Sequence, residues 1–130
     1  MTTNDKKKRL RNKCNALLQE YGRLLYDRCL ICGGAYSCLH HHYTKASSTA
    51  LRYDLDNCLP FCAGCHLQWH NGSNPEIMSK LLKIKGQKWH DDLTRRKTTI
   101  TKTSLKYYEE QKERLEKLIR EHQEHSCYGG

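Results

Sequence analysis

The chain has 130 residues, 37% of them hydrophobic with a single Phe, and its 23 Lys+Arg against 14 Asp+Glu give a formal net charge of +9. So short a chain with so few large apolar side chains cannot build a deep core and needs staples, for which its 8 Cys and 8 His are the candidates. A long-core metabolic enzyme is excluded; no apolar run approaches the roughly 18–20 residues of a membrane span; and MTTNDKKKRLRNK has basic residues with no apolar stretch behind them, which argues against a secretory leader and a secreted cystine scaffold.

Charge is spread unevenly. Residues 1–28 carry net +5, residues 29–70 are neutral, 71–103 carry +5 and 104–130 carry −1. The neutral stretch holds six of the eight Cys and five of the eight His, so two basic flanks enclose a ligand-rich centre, the layout of a protein that works on a polyanion. Four segments follow: a basic N-terminal amphipathic helix in 1–28, a metal-stapled core in 29–72, a basic capped helix and flank in 73–97, and a linker with a heptad-like helix in 98–130. In the first, Leu10, Cys14, Leu17, Leu18, Tyr21, Leu24 and Leu25 recur at helical spacing and predict a helix over about 9–27. Lys6 to Arg11 is a basic run at its entry, either a solvated tail or a phosphate-contacting arm.

Next come Cys29-Leu-Ile-Cys32-Gly33-Gly34 and Cys62-Ala-Gly-Cys65. A two-residue gap lets both sulfurs of a pair face one ion, and two pairs make a tetrahedral four-thiolate zinc site, closed and structural. Cys38 and Cys58 are left over, as substitute ligands or small buried hydrophobes, and Cys14 and Cys127 have no assigned partner. One strand is expected to end near His41-His42, followed by a loop from Lys45 to Arg52, a second strand over about Asn57–Phe61 and a short helix from about Gly64 to His70. On that helix His66 and His70, four apart, share a face and can share a metal. Asn71-Gly72 would end it. Ser73-Asn74-Pro75-Glu76 opens the next helix, with Ile77, Leu81, Leu82 and Ile84 as its apolar side. Thr98 to Ser104 reads as an extended linker. Leu105, Tyr108, Lys112, Leu115, Ile119 and His122 then follow a heptad seam spoiled at Lys112 and His122, with a homodimer or a fold-back onto the domain as the alternatives.

The central stretch resembles the HNH (ββα-metal) endonucleases: a His, an Asn 15 residues on, and a His nine after that, as His42, Asn57 and His66 stand here. The His41-His42 pair, YDLDN at 53–57 and His66…His70 are similar to the colicin DNase form, and Cys29/Cys32 with Cys62/Cys65 to zinc-stapled members. A narrower resemblance, through CxxCG, His42-Tyr43, Leu51 to Asp54 and Asp56-Asn57, is to the phage NinG (Rap) recombination proteins. The resemblance implies an α-rich α+β fold: a zinc-stapled ββα-metal core flanked by N- and C-terminal helices. It implies His42 as general base, Asn57 as the residue that bridges the inter-strand loop and fixes that base, and His41, His66 and His70 as metal ligands. In a second frame, one residue back, His41 is the base and His40 the ligand.

The implied activity is metal-dependent DNA phosphodiester hydrolysis that leaves 3′-hydroxyl and 5′-phosphate ends, on duplex or branched DNA, in phage recombination and a cytoplasmic, reducing setting. The expected cofactors are a structural Zn2+ and a catalytic divalent ion (Mg2+, Mn2+, Ni2+ or Zn2+), with Lys45 and Arg52 as phosphate contacts. Trp69 and Trp89 read as core packing rather than stacking groups. The competing reading is a zinc-binding nucleic-acid module without catalysis, in which the His cluster is a second structural site.

Overall fold

The computed structural model describes residues 1–44, 48–70 and 75–128, the last three as backbone only. The described residues form an α+β protein with five α-helices and one two-stranded antiparallel sheet: α1 (Thr3–Leu25), β1 (Cys38–His41), β2 (Cys58–Phe61), α2 (Ala63–His70), α3 (Pro75–Lys85), α4 (Gln87–Arg96) and α5 (Leu105–Tyr128). The chain divides into two compact units: residues 1–25 with 102–130, and residues 26–101. No helix among the described residues is long and apolar enough to cross a membrane.

The first unit is the pair α1 and α5. α1 begins well before the apolar stripe, because Thr2 and Asp5 cap it reciprocally: Thr2 Oγ1 accepts from the Asp5 amide and Asp5 Oδ2 from the Thr2 amide, both at 3.1 Å. These bonds also hold the exposed Asp5 carboxyl below its ordinary range. The stripe buries Cys14, Leu17, Leu18 and Gly22. On α5, Tyr108, Leu115 and Ile119 are buried. Cys14 Sγ donates to the Tyr108 carbonyl at 3.3 Å, and Tyr21 meets His122 edge to face at 6.4 Å. Both numbers increase together, so the helices run in the same direction. The two residues that spoil the heptad are explained locally: Lys112 pairs with Glu116 at 3.4 Å and His122 packs on Tyr21. The seam that suggested a homodimer contact serves this intrachain pairing.

The second unit is organised by β1 and β2, whose register sets Cys38 opposite Phe61, Leu39 opposite Pro60, His40 opposite Leu59 and His41 opposite Cys58. Directly opposed residues share a sheet face. Cys38, His40, Leu59 and Phe61 therefore stand on one face, and Leu39 and His41 on the other. Leu59 and Phe61 join Cys29, Cys65, Ile77 and Leu81 in a buried cluster, edged by Trp69 and Trp89. Packing as the better reading of the two indoles agrees with this. α3 contributes Ile77 and Leu81, while Ile84, expected on its apolar side, is 49% exposed. α3 opens at Pro75; the capping residues Ser73 and Asn74, and the Asn71-Gly72 stop, lie outside the described residues. Gly86, at φ +94°, ends α3 through its amide bond to the Leu82 carbonyl at 2.8 Å, and the chain turns directly into α4. Only glycine takes that backbone readily. What reads in sequence as a flank is thus a second helix, held by buried Leu93. Residues 99–104 form no regular element, as expected of a linker.

Candidate metal centres

Cys29 and Cys32 lie on a tight turn whose Gly33 has φ +74°. The Cys29 amide donates to the Gly34 carbonyl at 2.7 Å, and the Leu30 and Ser37 amides donate to the Pro60 and Phe61 carbonyls, so the turn is stitched to β2. Cys62 and Cys65 follow at the entry to α2. The four sulfurs lie within 4.8 Å of one another, with Cys32 and Cys62 at 3.6 Å. Sulfurs placed 2.3 Å from a tetrahedral ion stand about 3.8 Å apart. Three backbone amides already point at sulfur: Ile31 to Cys29, Gly34 to Cys32 and Cys65 to Cys62, at 3.3–3.4 Å. Burial raises the Cys29 thiol, but amide donors outweigh it and bring it to about 7. Burial and the three neighbouring sulfurs push Cys65 the other way, as expected of thiolates crowded without a cation. The quartet could hold a structural metal such as zinc, and its donor set fits that ion.

The second cluster is His40, His66 and His70, whose ring nitrogens also come within 4.8 Å of one another. His66 and His70 project from one side of α2, with their Nε2 atoms 2.8 Å apart. His40 reaches them from β1, 2% exposed and stacked on Phe61 at 4.8 Å. Its Nε2 is buried with no hydrogen-bond partner. Burial first, then the neighbouring His66 and His70, bring its pKa down to about 3, so its lone pair is available at neutral pH. Burial and His70 also lower His66. An orphaned buried nitrogen facing two more imidazoles fits a divalent cation. Cys38 Sγ stands 3.6 Å from His66 Nδ1 and orients that ring, with its own thiol pushed up by burial. Sequence reading left Cys38 open between substitute ligand and hydrophobe; its place beside His66 depends on the strand register.

The expected ligand His41 is not in this cluster; His40 takes its place. The reason is parity: α2 packs on the face that carries Leu59 and Phe61, and in β1 that face belongs to positions 38 and 40. His41 instead places Nε2 2.9 Å from the Arg52 carbonyl. A ring nitrogen that donates to a carbonyl leaves the lone pair on Nδ1.

His42, expected as the base, is 7% exposed and wedged between Trp69 and Trp89, with ring centroids at 5.3 and 5.1 Å, and beside His90 at 5.2 Å. Its Nδ1 has no partner, and burial, aided by His90 and Lys97, lowers its pKa to about 4. His90 was not anticipated, since nothing along the chain ties residue 90 to residue 42.

Asn57 is fully buried at the end of a 3₁₀ turn, Leu55–Asn57. Its Oδ1 accepts from the Tyr43 amide, and its Nδ2 donates to the Tyr43 and Leu51 carbonyls, at 2.9, 2.9 and 3.2 Å. One amide therefore closes both ends of the loop that presents the Arg52 carbonyl. Arg96 of α4 braces the turn from outside, pairing with Asp54, Asp56 and Asp92, and Trp89 Nε1 donates to the Asp56 carbonyl at 2.8 Å. Arg52 directs its guanidinium to the Tyr53 hydroxyl at 3.2 Å. Lys45 lies outside the described residues. Cys58 Sγ donates to the Asp54 carbonyl. No family model, curated protein or solved structure matches the chain.

Proposed function

We propose that residues 26–101 form a metal-dependent DNA endonuclease of the HNH kind, with a ββα-metal core stapled by the Cys29, Cys32, Cys62 and Cys65 quartet. The observation that carries the reading is the convergence of His40, His66 and His70 with an orphaned His40 nitrogen. Three imidazoles leave coordination positions for phosphate and water, whereas four thiolates close a site. A divalent ion bound there would stabilise the charge that develops on the leaving 3′-oxygen.

His41 is the general base in this reading, in the second of the two frames. In-line attack requires base and cation on opposite sides of the phosphate, and adjacent residues of an extended strand project to opposite sides. His41 follows the ligand His40 in this way; His42 packs on Trp69 of α2, the helix that carries His66 and His70. The Arg52 carbonyl orients the His41 ring and fixes its tautomer, and Asn57 fixes the loop that carries that carbonyl.

The test is cleavage of plasmid and of a synthetic four-way junction with Mg2+, Mn2+, Ni2+ or Zn2+, with EDTA, and with His41→Ala. Metal-dependent nicking that EDTA and His41→Ala both abolish is expected. Unchanged nicking by His41→Ala rejects the base; two bound metals and no cleavage of either substrate under any metal favour the non-catalytic module.

A further inference from the structure

The first half of α1 breaks a rule that the rest of the helical unit keeps. Lys6, Lys7, Lys8, Arg9, Arg11 and Lys13 put six cations near a helix N-terminus, where the aligned peptide dipoles already present positive charge. None of the six joins an ion pair among the described residues. On α5, by contrast, Lys106, Lys112 and Lys117 are neutralised by Glu110, Glu116 and Glu121, each four residues on. Lys6, Arg9 and Lys13 share one side of α1, span about 10 Å along its axis, and are exposed. With Lys112 they rim a groove of about 470 Å³ between α1 and α5, lined by Leu10 and Leu105. The one acidic side chain in its wall, Glu109, pairs with none of them.

Charge left uncompensated at a stability cost points to a polyanionic partner. A membrane surface is the poorer fit, because an interfacial helix needs a free apolar face and α1 has buried Cys14, Leu17 and Leu18. We infer that Lys6, Arg9 and Lys13 form a docking surface for the phosphate backbone of duplex DNA, separate from the histidine cluster and active whether or not that cluster hydrolyses anything.

The experiment measures binding of the full chain, on a His41→Ala background and without added divalent metal so that hydrolysis plays no part, to a fluorescent 25-base-pair duplex by anisotropy over a series of salt concentrations. The triple variant Lys6→Ala/Arg9→Ala/Lys13→Ala is compared with Lys106→Ala/Lys117→Ala/Arg120→Ala, which removes equal charge from α5. The α1 variant is expected to bind about a hundredfold more weakly near 0.15 M salt, with the log–log salt slope reduced by about 2–3. The α5 variant should change little. The α1 variant should also melt at a higher temperature, which separates lost contact from lost folding. Equal weakening by both triples, or no weakening by the first, overturns the inference. So does capture of phosphatidylserine-containing vesicles that the α1 triple abolishes while duplex binding stands.

Discussion

The cysteine quartet and the histidine triad lie on neighbouring parts of one small unit, yet they are built in opposite ways. The quartet draws its donors from one tight turn and from the entry to α2, and backbone amides already satisfy three of its sulfurs. The triad draws its donors from a strand and a helix, and it leaves a buried nitrogen without a partner. A site that stabilises a fold fills its coordination sphere from the chain; a site that handles substrate must leave part of it open. In the proposed function, that difference between four donors and three is what would separate a stapling ion from one that meets substrate.

The sharpest way to break that contrast is to attack the quartet. Cys29→Ala/Cys65→Ala should abolish the cooperative thermal transition of residues 26–101, because structural zinc contributes on the order of 10 kcal/mol, comparable to the whole stability of a small domain. Far-UV and near-UV circular dichroism would show it, and retention of a sharp transition would mean the quartet is dispensable. The histidine run comes next. His41→Ala should lower cleavage by about 10²–10⁴-fold with metal content unchanged. His40→Ala should lose the second metal, read by elemental analysis as a fall from two ions per chain to one. His42→Ala should cost about 2 kcal/mol in denaturant melts, for the space it leaves between the indoles, with a much smaller loss of rate. If His41 and His42 exchange these phenotypes, the other frame is correct.

How far the sequence reaches is clearest in that same run. The two CxxC pairs and the His66–His70 pair could be read because each rests on local spacing: a two-residue gap and an i,i+4 step. The assignment among His40, His41 and His42 could not, because it depends on which strand face meets α2, and a one-residue change of parity sends every side chain to the other side. The early start of α1 was legible in Thr2 and Asp5 but hidden by the polar run after them. His90, Arg96 and the Trp89 tie to Asp56 come from a helix far along the chain, and no periodicity links them to residues 42–57.

Two smaller effects sharpen the picture of how the loop is held. Asn57→Ala removes the three hydrogen bonds of a fully buried side chain and should cost about 2–4 kcal/mol, with Asn57→Asp partly restoring stability through its remaining acceptor. Equal melting of wild type and Asn57→Ala would show that the loop does not depend on it. Arg96→Ala should cost only about 1 kcal/mol, since the guanidinium is one-third exposed and solvent screens its three carboxylate partners. A loss above about 3 kcal/mol in the same assay would mean that α4 holds the turn far more firmly than its exposure implies.

The same-direction pairing of α1 with α5 has a consequence for biosynthesis. Some eighty residues separate the end of one helix from the start of the other, so at ribosomal speeds of about 5–20 residues per second the first helix waits roughly 4–16 s for its mate. Throughout that interval Leu17 and Leu18 are without their native cover while the intervening segment can already complete itself. During synthesis α1 is therefore more open to chaperone capture than the segment made just after it.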